Sequence, residues 1–220
     1  MTWSWKSELP SWLMLAAMWI LLAFAWPDAP ERIPTHWNLR GEVDRMGGRF
    51  TGLMLLPITA VAIYLMLRFL PMIDPARANY DKFRTAYGVI RHGTLVMMAA
   101  IYALTIAIIR GASIDMSLAI ASLVGVFFVA VGLVTPGLKR NWFFGLRTPW
   151  TLNSDVAWDR AHRIFGWTMV ATGVAIVAAG WTRSAPWLFV VIGVLVAGML
   201  AATWVSYTAW RDDPARAKGP

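Results

Sequence analysis

The stretch Lys139-Arg140-Asn141-Trp142-Phe143-Phe144-Gly145-Leu146-Arg147-Thr148-Pro149-Trp150-Thr151-Leu152-Asn153-Ser154 decides how the chain is organised. Uncharged apolar runs lie on both sides of it, at 116–138 and 164–182. Each is long enough to cross about 30 Å of hydrocarbon as a helix. The aromatic and basic side chains between them suit a membrane–water boundary, where rings and long cationic stems are half apolar and half wet. Trp142, Phe143, Phe144 and Trp150 surround Arg147 in sequence, a setting for cation–π contact. Gly145 permits a tight bend. Pro149 drives Thr148 into an extended conformation, so no helix runs straight through. Ser154 is placed to N-cap a helix through Asp155, Asp159 and His162. On that helix Asp159 and Arg163 have i,i+4 ion-pair spacing.

Further uncharged runs occur at 11–27, 50–67, 93–109 and 184–210. With the first two they define an all-α, polytopic membrane protein of six transmembrane helices. Composition agrees: the 220 residues are 58% hydrophobic and only 15% charged, against about a quarter charged in an ordinary soluble domain. The first run ends in Ala23-Phe24-Ala25, which imitates a signal-peptidase site, but Lys6 is offset by Glu8 and the run is read as a retained helix. The chain has no Cys, which excludes disulfides and thiolate chemistry. Its net charge of +8 falls mainly on Lys6, segment 68–91, loop 139–163 and the C-terminal tail. That asymmetry places both termini in the cytoplasm by the positive-inside rule. The basic faces are expected to meet anionic lipid headgroups. No nucleic-acid recognition motif accompanies the charge, so no direct nucleic-acid partner is expected.

Two regions follow, read together as one structural unit. Residues 1–92 hold two transmembrane helices, an outer loop at 28–49 and a cytoplasmic linker at 68–92. Residues 93–220 hold four helices and the cytoplasmic aromatic-basic loop 139–163. In the outer loop, Asn38-Leu39-Arg40-Gly41 fits a type I turn. Within the second helix, Pro57 is expected to introduce a kink. In the linker, Asp81, Arg84 and Arg91 read as a solvated face. Gly125 and Gly132, and Gly166, Gly173 and Gly180, recur every seven residues and mark faces on which helices pack closely in lipid. Gly193, Ala197 and Ala201 mark a similar face on the last helix. No ionisable side chain falls inside an apolar run, which argues against ion-coupled transport.

Groups with chemical potential lie in the polar segments. His36, Glu42 and Asp44 are candidate metal or acid–base groups, but their spacing is a weak ligand pattern; a small ordered cap held by Trp37 and hydrogen bonds is the favoured reading, ahead of a peptide- or lipid-binding surface. His92, Asp159 and His162 could form a metal site if the fold brought them together. No nucleophile triad, phosphate loop or zinc-helix motif appears, and no cofactor is expected.

The segment from Asn141 to Leu152 strongly resembles the signature of SdpI-type bacterial membrane proteins. Upstream, His36-Trp37-Asn38-Leu39-Arg40-Gly41-Glu42-Val43-Asp44 resembles the His-Trp-Asn-x-x-Gly-x-x-Asp core of the uncharacterised domain that precedes the SdpI region. The resemblance implies an integral protein of the bacterial plasma membrane that confers immunity to a secreted membrane-active peptide toxin. It also implies recruitment of a cytoplasmic transcriptional repressor to the membrane. The partner-binding residues it implies are His36, Trp37, Asn38, Gly41 and Asp44 outside. Inside they are Asn141, Trp142, Phe143, Gly145, Arg147, Thr148, Pro149 and Trp150. The alternative from a different class is a membrane enzyme or lipid-handling protein with a metal or acid–base site in a polar loop.

Overall fold

A computed structural model describes residues 4–38, 40–184 and 186–215. Its elements in chain order are α1 (Trp5–Ala25), β1 (Arg32–Trp37), β2 (Val43–Gly48), a π-helical turn (Phe50–Met54) and α2 (Leu55–Ile73). A 3-10 segment (Arg77–Phe83), α3 (Arg84–Ile109), α4 (Met116–Val134), a 3-10 turn (Thr135–Gly137), α5 (Pro149–Asn153), α6 (Asp155–Thr182) and α7 (Pro186–Arg211) complete it. Among the described residues six helical runs are long and apolar enough to cross a membrane, with α5 the short exception. The expected six-span membrane fold is observed.

The helices alternate in direction, which gives the bundle two distinct ends. At one end lie the starts of α1 and α3, the loop 135–154 and the end of α7. We call it the terminal end. The hairpin end carries β1 and β2, the turn between α3 and α4, and the turn after α6. Arg110 donates to the Phe24 carbonyl at 3.0 Å and Ser117 to the Asn38 carbonyl at 3.1 Å, closing this second end.

The loop 28–49 departs from an all-helical reading, because it contains an antiparallel two-stranded sheet. The turn at Asn38 does form: the Gly41 N–H donates to the Asn38 carbonyl at 2.9 Å. The Asn38 side chain accepts from the N–H groups of Arg40 and Glu42. Ile33 is fully buried among side chains of α1, α2 and α3, which pins the sheet to the bundle.

Close backbone approach holds α4 to α6. A Cβ at Gly125 would lie 2.6 Å from the Gly173 carbonyl oxygen, and one at Gly132 would lie 2.6 Å from that of Gly166. Only glycine permits this contact, and in lipid such close packing drives helix association. The last helix uses a different face from the one expected. Gly193 has nothing within 4 Å of its Cβ position, and Ala197 and Ala201 are exposed. The buried line is Ala202, Ser206 and Ala209, continued at Gly198, whose Cβ would overlap Thr168. Four-residue spacing occurs on both faces, so spacing alone could not choose between them.

Two prolines shape α2. Pro57 sits in the first turn of α2, just after the π-helical turn, rather than in the middle of a span. Pro71 falls inside α2 and has no N–H for the Leu67 carbonyl four residues earlier. The Tyr87 hydroxyl donates to that carbonyl instead, as a low-dielectric setting requires.

Replacing Gly173 by Leu therefore inserts a side chain where two backbones touch, and overpacking of this kind costs about 1–3 kcal/mol. Gly173→Leu should melt lower than wild type in detergent, whereas Gly193→Leu should melt like wild type. Equal melting of the two variants would contradict the α4–α6 contact.

Candidate functional site

At the terminal end, the segment 138–154 crosses the mouth of the bundle without helical backbone bonds for much of its length. Its polar main-chain groups are satisfied by side chains. Asn141 is fully buried: Oδ1 accepts from Phe143 N (2.9 Å) and Phe144 N (2.6 Å), while Nδ2 donates to the carbonyls of Lys139 and Phe144. Trp142 N donates to Asp74 Oδ2 at 3.1 Å. Asp74 is itself buried and also accepts from Tyr80 (2.8 Å) and Ala76 N (2.7 Å). Asn79 donates to the Arg140 carbonyl at 2.8 Å.

Gly145 turns the chain at φ +94°, and a Cβ there would lie 2.0 Å from His162 Nε2. That nitrogen accepts from Leu146 N at 3.1 Å, and Nδ1 donates to the Trp158 carbonyl at 2.8 Å. The two bonds fix one neutral tautomer, with the ring stacked on Trp158 at 4.0 Å. Thr148 is extended, as the following proline requires, and forms a capping box with Thr151 at the start of α5. Ser154 N-caps α6 as expected, accepting from Ala157 N. It also donates to Asp213, and that bond holds the Asp213 carboxyl below the usual carboxylate range. Trp150 donates from Nε1 to the Ser206 hydroxyl and meets Tyr207 edge-on.

Of the residues expected in a partner surface here, Asn141, Gly145 and Thr148 are spent on the loop's own structure. Trp142, at 53% exposure, together with Arg147 and Pro149, faces outward. The aromatic cage around Arg147 does not form. Its Nη1 donates to the Trp142 carbonyl at 2.6 Å, Phe144 packs inward on Tyr87, and Trp150 packs on α7. Asp159 pairs with Lys139 at 3.2 Å rather than with Arg163, because the loop brings Lys139 over the first turns of α6.

A second polar cluster escaped sequence reading. Glu8 and Arg91 are buried to 3% and 2% exposure and paired at 2.7 Å. Tyr64 donates to the other Glu8 oxygen at 2.9 Å and accepts from Trp12 Nε1. Arg68 lies 4.0 Å from the same carboxylate, and Arg91 also donates to the Ser7 carbonyl. Arg91 is thus not part of a solvated face; that description holds for the exposed Asp81–Arg84 pair. The helices extend past the uncharged runs, so Glu8 in α1 and Arg91 in α3 lie inside helices. The alternation of span direction was the available clue, since it brings positions 8, 68 and 91 to one end.

The possible metal triad is not assembled. His92 is hydrogen-bonded to Ser11 at 3.0 Å, His162 is held by Leu146 and Trp158, and Asp159 pairs with Lys139. Among the described residues no group of three or more His, Asp or Glu is arranged to hold a metal. At the hairpin end, His36 Nδ1 and Asp44 Oδ1 are 2.6 Å apart and both side chains are exposed. Asn38 donates to Glu42 at 2.8 Å, and Trp37 and Gly41 are partly buried.

The fold and these two ends define a multi-pass helical membrane protein with an ordered hairpin at one end and a braced loop at the other. The comparisons agree. Residues 137–206 match the SdpI/YfhL protein family, and residues 13–61 match a domain of unknown function, DUF1648. The chain is 20% identical over 204 residues to Immunity protein SdpI of Bacillus subtilis (strain 168), covering 92% of this chain and 95% of that protein. The family resemblance carried by the two motifs is therefore confirmed. No solved structure matches the chain.

Asn141→Ala should leave the N–H groups of Phe143 and Phe144 without partners, at about 1–3 kcal/mol each. It should lower the melting temperature clearly, while Trp142→Ala should shift it little. The buried ion pair makes a separate expectation. Arg91→Met alone removes the close cation from buried Glu8, leaving it the Tyr64 hydroxyl and the more distant Arg68, and should cost up to about 3–5 kcal/mol; adding Glu8→Leu should recover much of that loss. Additive losses in the double variant would show that the two charges are not coupled.

Proposed function

We propose that this chain is an immunity protein of the SdpI type, protecting a bacterial cell from a membrane-active peptide toxin that meets it at the hairpin end. The observation that carries the reading is similarity to Immunity protein SdpI across nearly the full length of both chains, with both motif regions included. In this reading the protein lies in the plasma membrane with the hairpin outside and both termini in the cytoplasm. The concentration of Lys and Arg at the terminal end supports that orientation. An outer surface made of an ordered hairpin, with His36, Trp37 and Asp44 at its rim, suits recognition of an external peptide.

The terminal end then faces the cytoplasm, where a repressor is the second proposed partner. Trp142 and Arg147, with Pro149 beside them, are the motif residues available to it, because Asn141, Gly145 and Thr148 are spent on the loop's own structure. Trp is enriched at interface hot spots, and so is Arg. Arg147→Lys keeps the charge but loses the planar donor set that reaches the Trp142 carbonyl.

Two measurements test the proposal together. Single cysteines at Asn38 and Asn153 in this Cys-free chain should label oppositely with an impermeant thiol reagent in intact cells, Asn38→Cys reacting and Asn153→Cys not. At matched membrane abundance, changes at His36, Trp37 or Asp44 should reduce survival in toxin, whereas Arg147→Ala should mainly reduce recruitment of the regulator. Loss of both activities in proportion to abundance in every variant would contradict the assignment of separate partners to the two ends.

A further inference from the structure

A cleft of about 440 Å³ runs beneath the hairpin, between β1 and the outer parts of α2 and α3. We propose that it takes one extended apolar peptide segment, laid along the free edge of β1 with a carboxylate at Arg45. The proposal deepens the immunity reading and rests on it for the identity of that peptide as part of the toxin.

The strand edge is the first argument. The sheet has two strands, so β1 has a neighbour on one side only. Among the described residues no main-chain hydrogen bond to a third segment is recorded for 33–37. The cleft touches four consecutive β1 residues, Pro34, Thr35, His36 and Trp37, but only Arg45 from β2. Register shifts between Pro34 and His36 and between His36 and Trp37 break the side-chain alternation there, and contact with the whole run is what sets the cleft along β1. An added strand gains main-chain bonds there and places alternate side chains in the floor. Pro34 has no N–H to give, which limits this edge to short segments.

The floor is the second argument. It descends from Thr51 in the π-helical turn to Thr59 on α2, eight residues or about 12 Å along a helix. Leu55, Leu56 and Ile101 supply apolar surface. Thr59 and Thr105 spend their hydroxyl protons on the Leu55 and Ile101 carbonyls, at 2.8 and 3.0 Å. The walls therefore present methyl groups and few free donors, which favours apolar side chains over a sugar or a nucleotide.

Charge at the mouth is the third. Asp44 is engaged by His36. Arg45 is exposed and makes no recorded ion pair among the described residues. The cleft thus offers a cation to whatever enters it, and the C-terminal carboxylate of a peptide matches that cation. An acyl chain would use the floor but has no N–H or C=O for the β1 edge.

The test uses the full chain in lipid nanodiscs. Its probe is a fluorescein-labelled octapeptide of alternating Val and Leu with a free C-terminal carboxylate. N-methylation of alternate amides should weaken binding tenfold or more on the unmodified protein, a comparison that needs no folded variant. Thr59→Trp, which fills the floor, should weaken it to a similar extent. Amidating the peptide, or Arg45→Gln, should each weaken it several-fold, and the two together no further. Binding that ignores both N-methylation and Thr59→Trp would overturn the proposal. Displacement by phosphatidylglycerol with no N-methylation effect would assign the cleft to lipid and overturn it equally. If Thr59→Trp abolishes peptide binding yet cells stay fully protected, the cleft's chemistry stands and the toxin is removed as its occupant.

Discussion

The Asp74 carboxylate, buried at the end of α2, is the contact on which the terminal end depends. It accepts from the Trp142 main chain, from Tyr80 and from Ala76 N, so the loop and the segment after α2 are tied to one acceptor. The underlying constraint is general. Near hydrocarbon, a backbone segment that is not helical must find hydrogen-bond partners within the protein. Asn141, His162 and Thr151 extend the same solution along the loop, and Tyr87 applies it to the carbonyl that Pro71 leaves open. A loop built this way has a fixed shape before any partner arrives. Preorganisation of that kind lowers the ordering cost of binding.

This constraint separates two roles that the sequence motif merges. In Asn141-Trp142-Phe143-Phe144-Gly145-Leu146-Arg147-Thr148-Pro149-Trp150, Asn141 and Thr148 spend their side chains on the loop's own hydrogen bonds. What remains for recognition is a small surface around Trp142, Arg147 and Pro149. The hairpin end divides its residues in a similar way. Asn38 closes the turn and Ile33 anchors the sheet, while His36, Asp44 and Arg45 stay at the surface.

Much of this was legible in the residues. Six uncharged runs gave six helices, Pro149 and Ser154 gave a helix break and a cap, and the seven-residue glycine spacing gave the α4–α6 contact. Local chemistry or strict periodicity decided each of these. The failures share a different cause, which is long-range pairing. Glu8 and Arg91 are 83 positions apart, and counting charges inside apolar runs hid both because the helices continue beyond those runs. Asp74 and Tyr80 sit in a segment that read as a polar linker. On α7, Gly193 and Gly198 carry the same composition signal, and only the position of α6 selects Gly198. The β-hairpin was missed because its strands are short and include Pro34, Gly47 and Gly48, which weaken a strand pattern.

The central claim is that the SdpI-like loop is a prefolded element held by Asp74, Asn141 and His162. Amide hydrogen exchange at Trp142, Phe143, Phe144 and Leu146, in the full protein in nanodiscs and without any partner, tests it most directly. The account predicts protection at these four amides comparable with that of the first turns of α6. Exchange at the rate of an unstructured peptide would contradict it.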